Sequence, residues 1–129
     1  MATRHQARQS VVALLYANEF NAQNDESVHE FLEQKKVRNE QKAFAIGLYN
    51  GVCANLSQID EQIAPFIKEA NKVSQVEKAI LRLSAFEFLF SDTDKAIIIN
   101  EAIELAKELA NDNSSKFINA VLDALKGTL

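Results

Sequence analysis

Side chains able to do chemistry are few in this chain and unevenly placed. There is one cysteine, Cys53, and there are two histidines, His5 and His29, with no tryptophan. Cys53 cannot close an internal disulfide, and its apolar neighbours at helical spacing mark it as a small core residue rather than a nucleophile. His29 has no second histidine or carboxylate at metal-ligand spacing and reads as a surface residue. No glycine-rich phosphate loop and no nucleophile with a neighbouring base occurs, so the expectation is a protein without catalysis and without a cofactor. Charge is more informative. The formal net charge is −4, which argues weakly against a nucleic-acid binder. Yet no acidic residue stands between Met1 and Asn18, where Arg4, His5, Arg8 and the terminal amine gather. Arg4 and Arg8 are four apart and share one edge of a helix. Cations in a first helical turn oppose the macrodipole at roughly 0.3–1 kcal/mol each. An anionic partner would account for them; two solvated arginines near a terminus are the other reading, and spacing does not decide.

The elements that must position these residues are helices. The 129 residues are 47% hydrophobic with three Gly and one Pro, a balance that predicts an all-α protein in one domain over residues 1–129. No apolar run approaches the roughly 20 residues that cross a bilayer, and the first residues lack the uncharged core of a signal peptide, so a cytoplasmic protein is expected. The best-marked element is SQVEKAILRLSAFEFLF, Ser74–Phe90, which opens on a capping box of Ser74 and Glu77. It is apolar on two faces, so it should be the buried central helix, with Lys78 and Arg82 reaching water. Glu87 projects among its core-facing residues and needs a partner that the sequence does not name. Before it, Thr3 can cap a helix to about Phe20, and a short helix carries Val28, Phe31 and Leu32. After a charged link, Gln34 to Arg38, a long helix that Asn39 can cap is predicted to run to Ala64, before Pro65. Gly47 and Gly51 leave a notch on it for close packing. Asp94 or Asn100 caps the next helix, Ser114 the last. The stretch from Pro65 to Val73 divides an N-terminal half, about 1–67, from a C-terminal half, about 74–129.

Three stretches in this order, QVEKAILRLSAFEFLF, IINEAIELAKELA and SSKFINAVLDAL, with RHQARQSVVALLYA at the start, resemble the signature segments of the NusB family over essentially the whole chain. The resemblance implies about seven helices in two packed helical subdomains, and a non-catalytic RNA-binding transcription antitermination factor. It implies as partners NusE, a protein of the small ribosomal subunit, the boxA element of nascent RNA, and the RNA polymerase antitermination complex, mainly on ribosomal RNA operons. Some relatives are dimers, so a helical protein-interaction or homodimerisation domain without direct RNA contact is the alternative.

Residue by residue, the resemblance places the family's arginine-rich start on Arg4, His5, Gln6 and Arg8, thinner here because His5 and Gln6 stand where arginines are common. It puts Tyr16 near the RNA and partner surface, where a tyrosine can stack on a base. Glu77 falls near the NusE interface, in addition to its capping role. Asn113 and Ser114, in the loop before the last helix, are implied for the partner, and Lys116 and Phe117 for RNA, Lys116 at a phosphate and Phe117 beneath a base. Phe117 equally fits a first-turn core residue. Ala120 stands where the family usually has Gly. The resulting expectation is one basic and aromatic surface, formed where the first helix and the loop before the last one converge.

Overall fold

The computed structural model describes all residues, 1–129, as seven α-helices without a strand. They are α1 (Arg4–Asn18), α2 (Asp25–Gln34), α3 (Glu40–Ala54), α4 (Leu56–Ile63), α5 (Gln75–Phe90), α6 (Lys95–Leu109) and α7 (Asp112–Lys126). Two short 3₁₀ turns, Ala64–Phe66 and Ala70–Lys72, fill the connector before α5. Capping chemistry sets the boundaries. Thr3 opens α1 and Ser74 opens α5, each through a complete capping box, with Gln6 and Glu77 returning the bond. Asp94, rather than Asn100, caps α6, and Asn111, rather than Ser114, caps α7. The last helix therefore starts earlier than expected, and Asn113, Ser114 and Lys116 belong to its first turns, not to a loop.

α5 is the buried centre and touches α1, α3, α4, α6 and α7. Ala79, Ile80, Leu81, Leu83, Ala85 and Phe88 are all withdrawn from solvent, because its apolar residues occupy two faces rather than one stripe. Lys78 is half-buried, and Arg82 is engaged by the carboxylates of Asp60 and Glu19. The long third helix expected to reach Ala64 breaks at Asn55. The Asn55 amide side chain donates to the Gly51 carbonyl at 2.8 Å, competing with the helical ladder, and the chain restarts as α4. Of the two glycines only Gly51 is needed for packing, because a Cβ there would lie 2.2 Å from the Phe86 ring; one at Gly47 would meet nothing within 4 Å. Cys53 is exposed rather than in the core. Its thiol pKa is nevertheless raised, chiefly by partial burial, against the opposing influence of Tyr49 and Arg82. No helix is long and apolar enough to cross a membrane.

Candidate nucleic-acid interface

The N-terminal cations divide between the interior and the surface. Arg8 is buried, 3% exposed, and so is Glu87 at 2%. The Arg8 Nε donates to Glu87 Oε2 at 3.0 Å and Nη2 to Oε1 at 2.7 Å, a two-pronged bond that satisfies both planar groups. Burial alone would lower the Arg8 pKa, but the hydrogen bonds and charge of Glu87, with Glu101 behind them, raise it. Arg8 is thus the missing partner of Glu87, and it does not face a phosphate. The expectation that it binds RNA is corrected for that reason: helical spacing put Arg8 on an edge, and α5 closes over the edge.

His5 lies between two carboxylates of α6. Its Nδ1 is 2.5 Å from Glu101 Oε2 and its Nε2 is 2.7 Å from Glu108 Oε1. Desolvation opposes protonation of this ring, yet the two glutamates prevail and its pKa is raised. Both ring nitrogens are therefore engaged within the protein, and His5 fastens α1 to α6. Arg4 differs. It is exposed, forms no salt bridge, and its guanidinium lies 4.3 Å from the centroid of the Phe44 ring. The contact with Phe44 supports the group, and no carboxylate takes its N–H donors, which remain for an incoming anion. Sequence reading missed Phe44, which looked like one more apolar residue in the α3 pattern. Along the outer side of α1, Gln6, Ala13, Tyr16 and Phe20 are exposed in a line, and Tyr16 and Phe20 pair with ring centroids 5.1 Å apart.

At the C-terminal end, Phe117 and Glu77 come together. They line a cleft of about 370 Å³ with Phe66, Lys68 and Lys72, so the connector before α5 contributes two lysines that looked like plain linker. Phe117 is partly buried against the core and partly open to this cleft. Ala120 lines it as well. Lys116 faces elsewhere, into a separate cleft with Ile103, Lys107 and Asp112. Asn113 is exposed, but Ser114 is buried at 6%, so its side chain is not offered to a partner as expected. Its backbone N–H instead completes the α7 cap on Asn111.

The single cationic edge does not form. Arg8 faces inward, and α6 stands between the His5 contacts and Lys116. Glu101 and Glu108 lie on the side of α6 toward α1, whereas Ile103 and Lys107 are a little more than a third of a turn around the same helix. Three separate surfaces take its place: the outer line of α1, the Glu77 and Phe117 cleft, and the Lys116 cleft. No group of three or more His, Cys, Asp or Glu side chains is placed to hold a metal ion.

A helical scaffold that lines open clefts with lysines and leaves a free arginine and exposed rings on its surface belongs to the class of proteins that act by presenting surfaces to partners. The chain belongs to the NusB family, whose sequence profile matches residues 5–126. It is 62% identical over 127 residues to the transcription antitermination protein NusB of Campylobacter jejuni, covering 97% of this chain and 96% of that protein. Its backbone resembles a chain from a crystal structure of antitermination factors NusB and NusE in complex with double-stranded RNA, at 26% identity and TM-score 0.87 over 98% and 97% of the two chains. Against a crystal form of Thermotoga maritima NusB the identity is 32% and the TM-score 0.83, over 98% and 92%.

Proposed function

We propose that this protein is a non-catalytic, RNA-binding transcription antitermination factor of the cytoplasm. It pairs with NusE, binds boxA RNA and joins the RNA polymerase antitermination complex, mainly on ribosomal RNA operons, with residues 1–129 acting as one unit. The observation that carries this reading is the outer side of α1. On it stand the exposed Tyr16 and Phe20 rings, and the unpaired Arg4 lies over the Phe44 ring about a third of a turn round the helix from Tyr16; a cation and stacking platforms on one helix are the chemistry single-stranded RNA requires. A chain whose backbone this one follows was solved in a complex of NusB and NusE with double-stranded RNA, which supports RNA binding and pairing with NusE.

The Glu77 and Phe117 cleft, with Lys68 and Lys72, is the surface we assign to NusE, with Asn113 beside it on α7. Lys116 supplies a further phosphate contact from its own cleft. Few phosphates are neutralised by this chain alone, so affinity is low until NusE extends the groove. Titration of labelled boxA RNA across salt, with and without NusE, tests the reading. Arg4→Ala is expected to weaken binding several-fold at low salt and to flatten the dependence of log K on log salt by about 0.7, the loss of one single-strand phosphate contact. Arg4→Ala that binds as the parent does at every salt would remove α1 from the RNA surface. Binding to NusE but to no RNA would leave a protein-interaction domain.

A further inference from the structure

The stretch Lys35-Lys36-Val37-Arg38 between α2 and α3 is absorbed by none of the surfaces above, and the fold brings it to the start of α1. A cleft of about 460 Å³ is lined there by Met1, Gln6, Lys35, Lys36 and Arg38 together with Ala2 and Asn39, and by no acidic side chain. A second cleft of about 360 Å³ shares Gln6 and Lys35 with it and continues along α1 past Gln9, Ala13 and Phe31. The two form one groove that runs from the basic turn on to the side of α1 that carries Tyr16.

We propose that this basic turn is a second phosphodiester site, which takes the backbone of the same single-stranded RNA as it leaves the outer line of α1. The proposal rests on the RNA-binding reading above and adds to it where the strand goes.

Three features favour it. First, the cations are held in place. Lys36 donates its N–H to the Glu33 carbonyl at 3.0 Å and Val37 donates to Leu32 at 2.9 Å, the paired bonds of a Schellman motif, and buried Val37 pins the turn to the core. Lys35 and Arg38 flank this pin, and the exposed Lys36 side chain stands at its tip. Second, Lys36 has φ 59°, at the position where glycine is the usual residue. A lysine here keeps a charge at the expense of backbone ease. Third, the opposing charge is partly spent. Glu33 is bonded by both Arg38 and Lys42 at 3.0 Å, yet the Arg38 side chain remains 55% exposed, and Lys35 and Lys36 form no salt bridge. Glu30 on α2 and Glu40 in the first turn of α3 are the other carboxylates nearby in sequence. An RNA backbone is favoured over an acidic protein segment, because the groove continues past Phe31 and the Gln6 amide, which suit a base and its edges.

The glycine preference supplies the test. Lys36→Gly removes the charge and relieves the backbone, so the double variant Lys35→Gln with Lys36→Gly should fold as well as the parent. A charge-matched control, Lys95→Gln with Lys126→Gln, changes two cations away from the groove. Each protein is titrated, with NusE, against labelled boxA RNA extended by a few nucleotides at each end, over a salt series, and against polyglutamate. The expected result is a log–log salt slope flatter by about 1.4 in the turn variant, two contacts at about 0.7 each, and unchanged in the control. Equal slopes in all three proteins would overturn the second site while leaving RNA binding by the parent intact. Loss of polyglutamate binding with RNA binding unchanged would also overturn it. A parent that binds no RNA overturns this site and the reading beneath it together.

Discussion

Arg8 shows what a residue's spacing can and cannot say. Its position four after Arg4 was legible, and so was the need of Glu87 for a partner, but the two are separated by 79 positions and nothing local connects them. Only the packing of α1 on α5 makes them one unit. The consequence is thermodynamic rather than RNA-related. Removing one member strands a buried charge, so Arg8→Ala and Glu87→Ala are each expected to lose about 3–5 kcal/mol, read as a drop in urea midpoint. The double change Arg8→Met with Glu87→Leu should recover most of that loss, since it strands nothing. If Arg8→Ala unfolded at the parent's midpoint, the buried pair would be wrong and an outward-facing Arg8 would return to consideration. Arg4 carries the opposite lesson. It keeps the surface role its position suggested, on a ring whose use no sequence pattern marked.

Among the elements, α5 was the most legible, because a capping box and two apolar faces agree on one answer. The α3 and α4 pair was least so. The apolar spacing Phe44, Leu48, Val52, Leu56, Ile59, Ile63 suits one continuous helix, and what interrupts it is a single side-chain bond from Asn55 to Gly51. Leu56, exposed just after the break, is the residue whose place in that spacing was misleading. The glycines of α3 separate by the same kind of contact. Gly47→Ala adds a methyl to open space and is expected to stabilise by about 0.5–1 kcal/mol, as alanine does in a helix interior. Gly51→Ala must displace the Phe86 ring, itself stacked on Phe90 at 5.2 Å, and is expected to destabilise by about 1–3 kcal/mol. Thermal melts of the two variants decide it: a gain in both would mean that Phe86 does not sit against Gly51.

At the scale of the whole molecule, charged ties join parts of the chain far apart in sequence. Arg82 of α5 links Asp60 of α4 to Glu19 at the end of α1, and His5 joins the start of α1 to Glu101 and Glu108. The sequence showed the cationic start and the acidic pattern of α6 separately, and the structure makes them one joint. That joint titrates. His5 has its folded pKa raised above 6.5, so its contribution is complete below about pH 6.5 and is lost as pH rises through the folded value. Glu108 has its pKa lowered from 4.5, first by the His5 hydrogen bond and then by Gln9 against some desolvation. Its share is therefore present above about pH 4.5 and lost as pH falls through the folded value. The tie is strongest between those limits. The parent protein should thus exceed His5→Gln in unfolding free energy at about pH 6, and the difference should shrink by about pH 8.5 as the imidazolium loses its proton. Urea titrations of both proteins at the two pH values measure it. A difference that stayed constant would mean that His5 holds α6 by neutral hydrogen bonds alone. RNA affinity is expected to follow a weaker form of the same trend. His5 does not touch the RNA in the proposed arrangement, but it holds the first turn of α1, and with it Arg4, against the body of the protein.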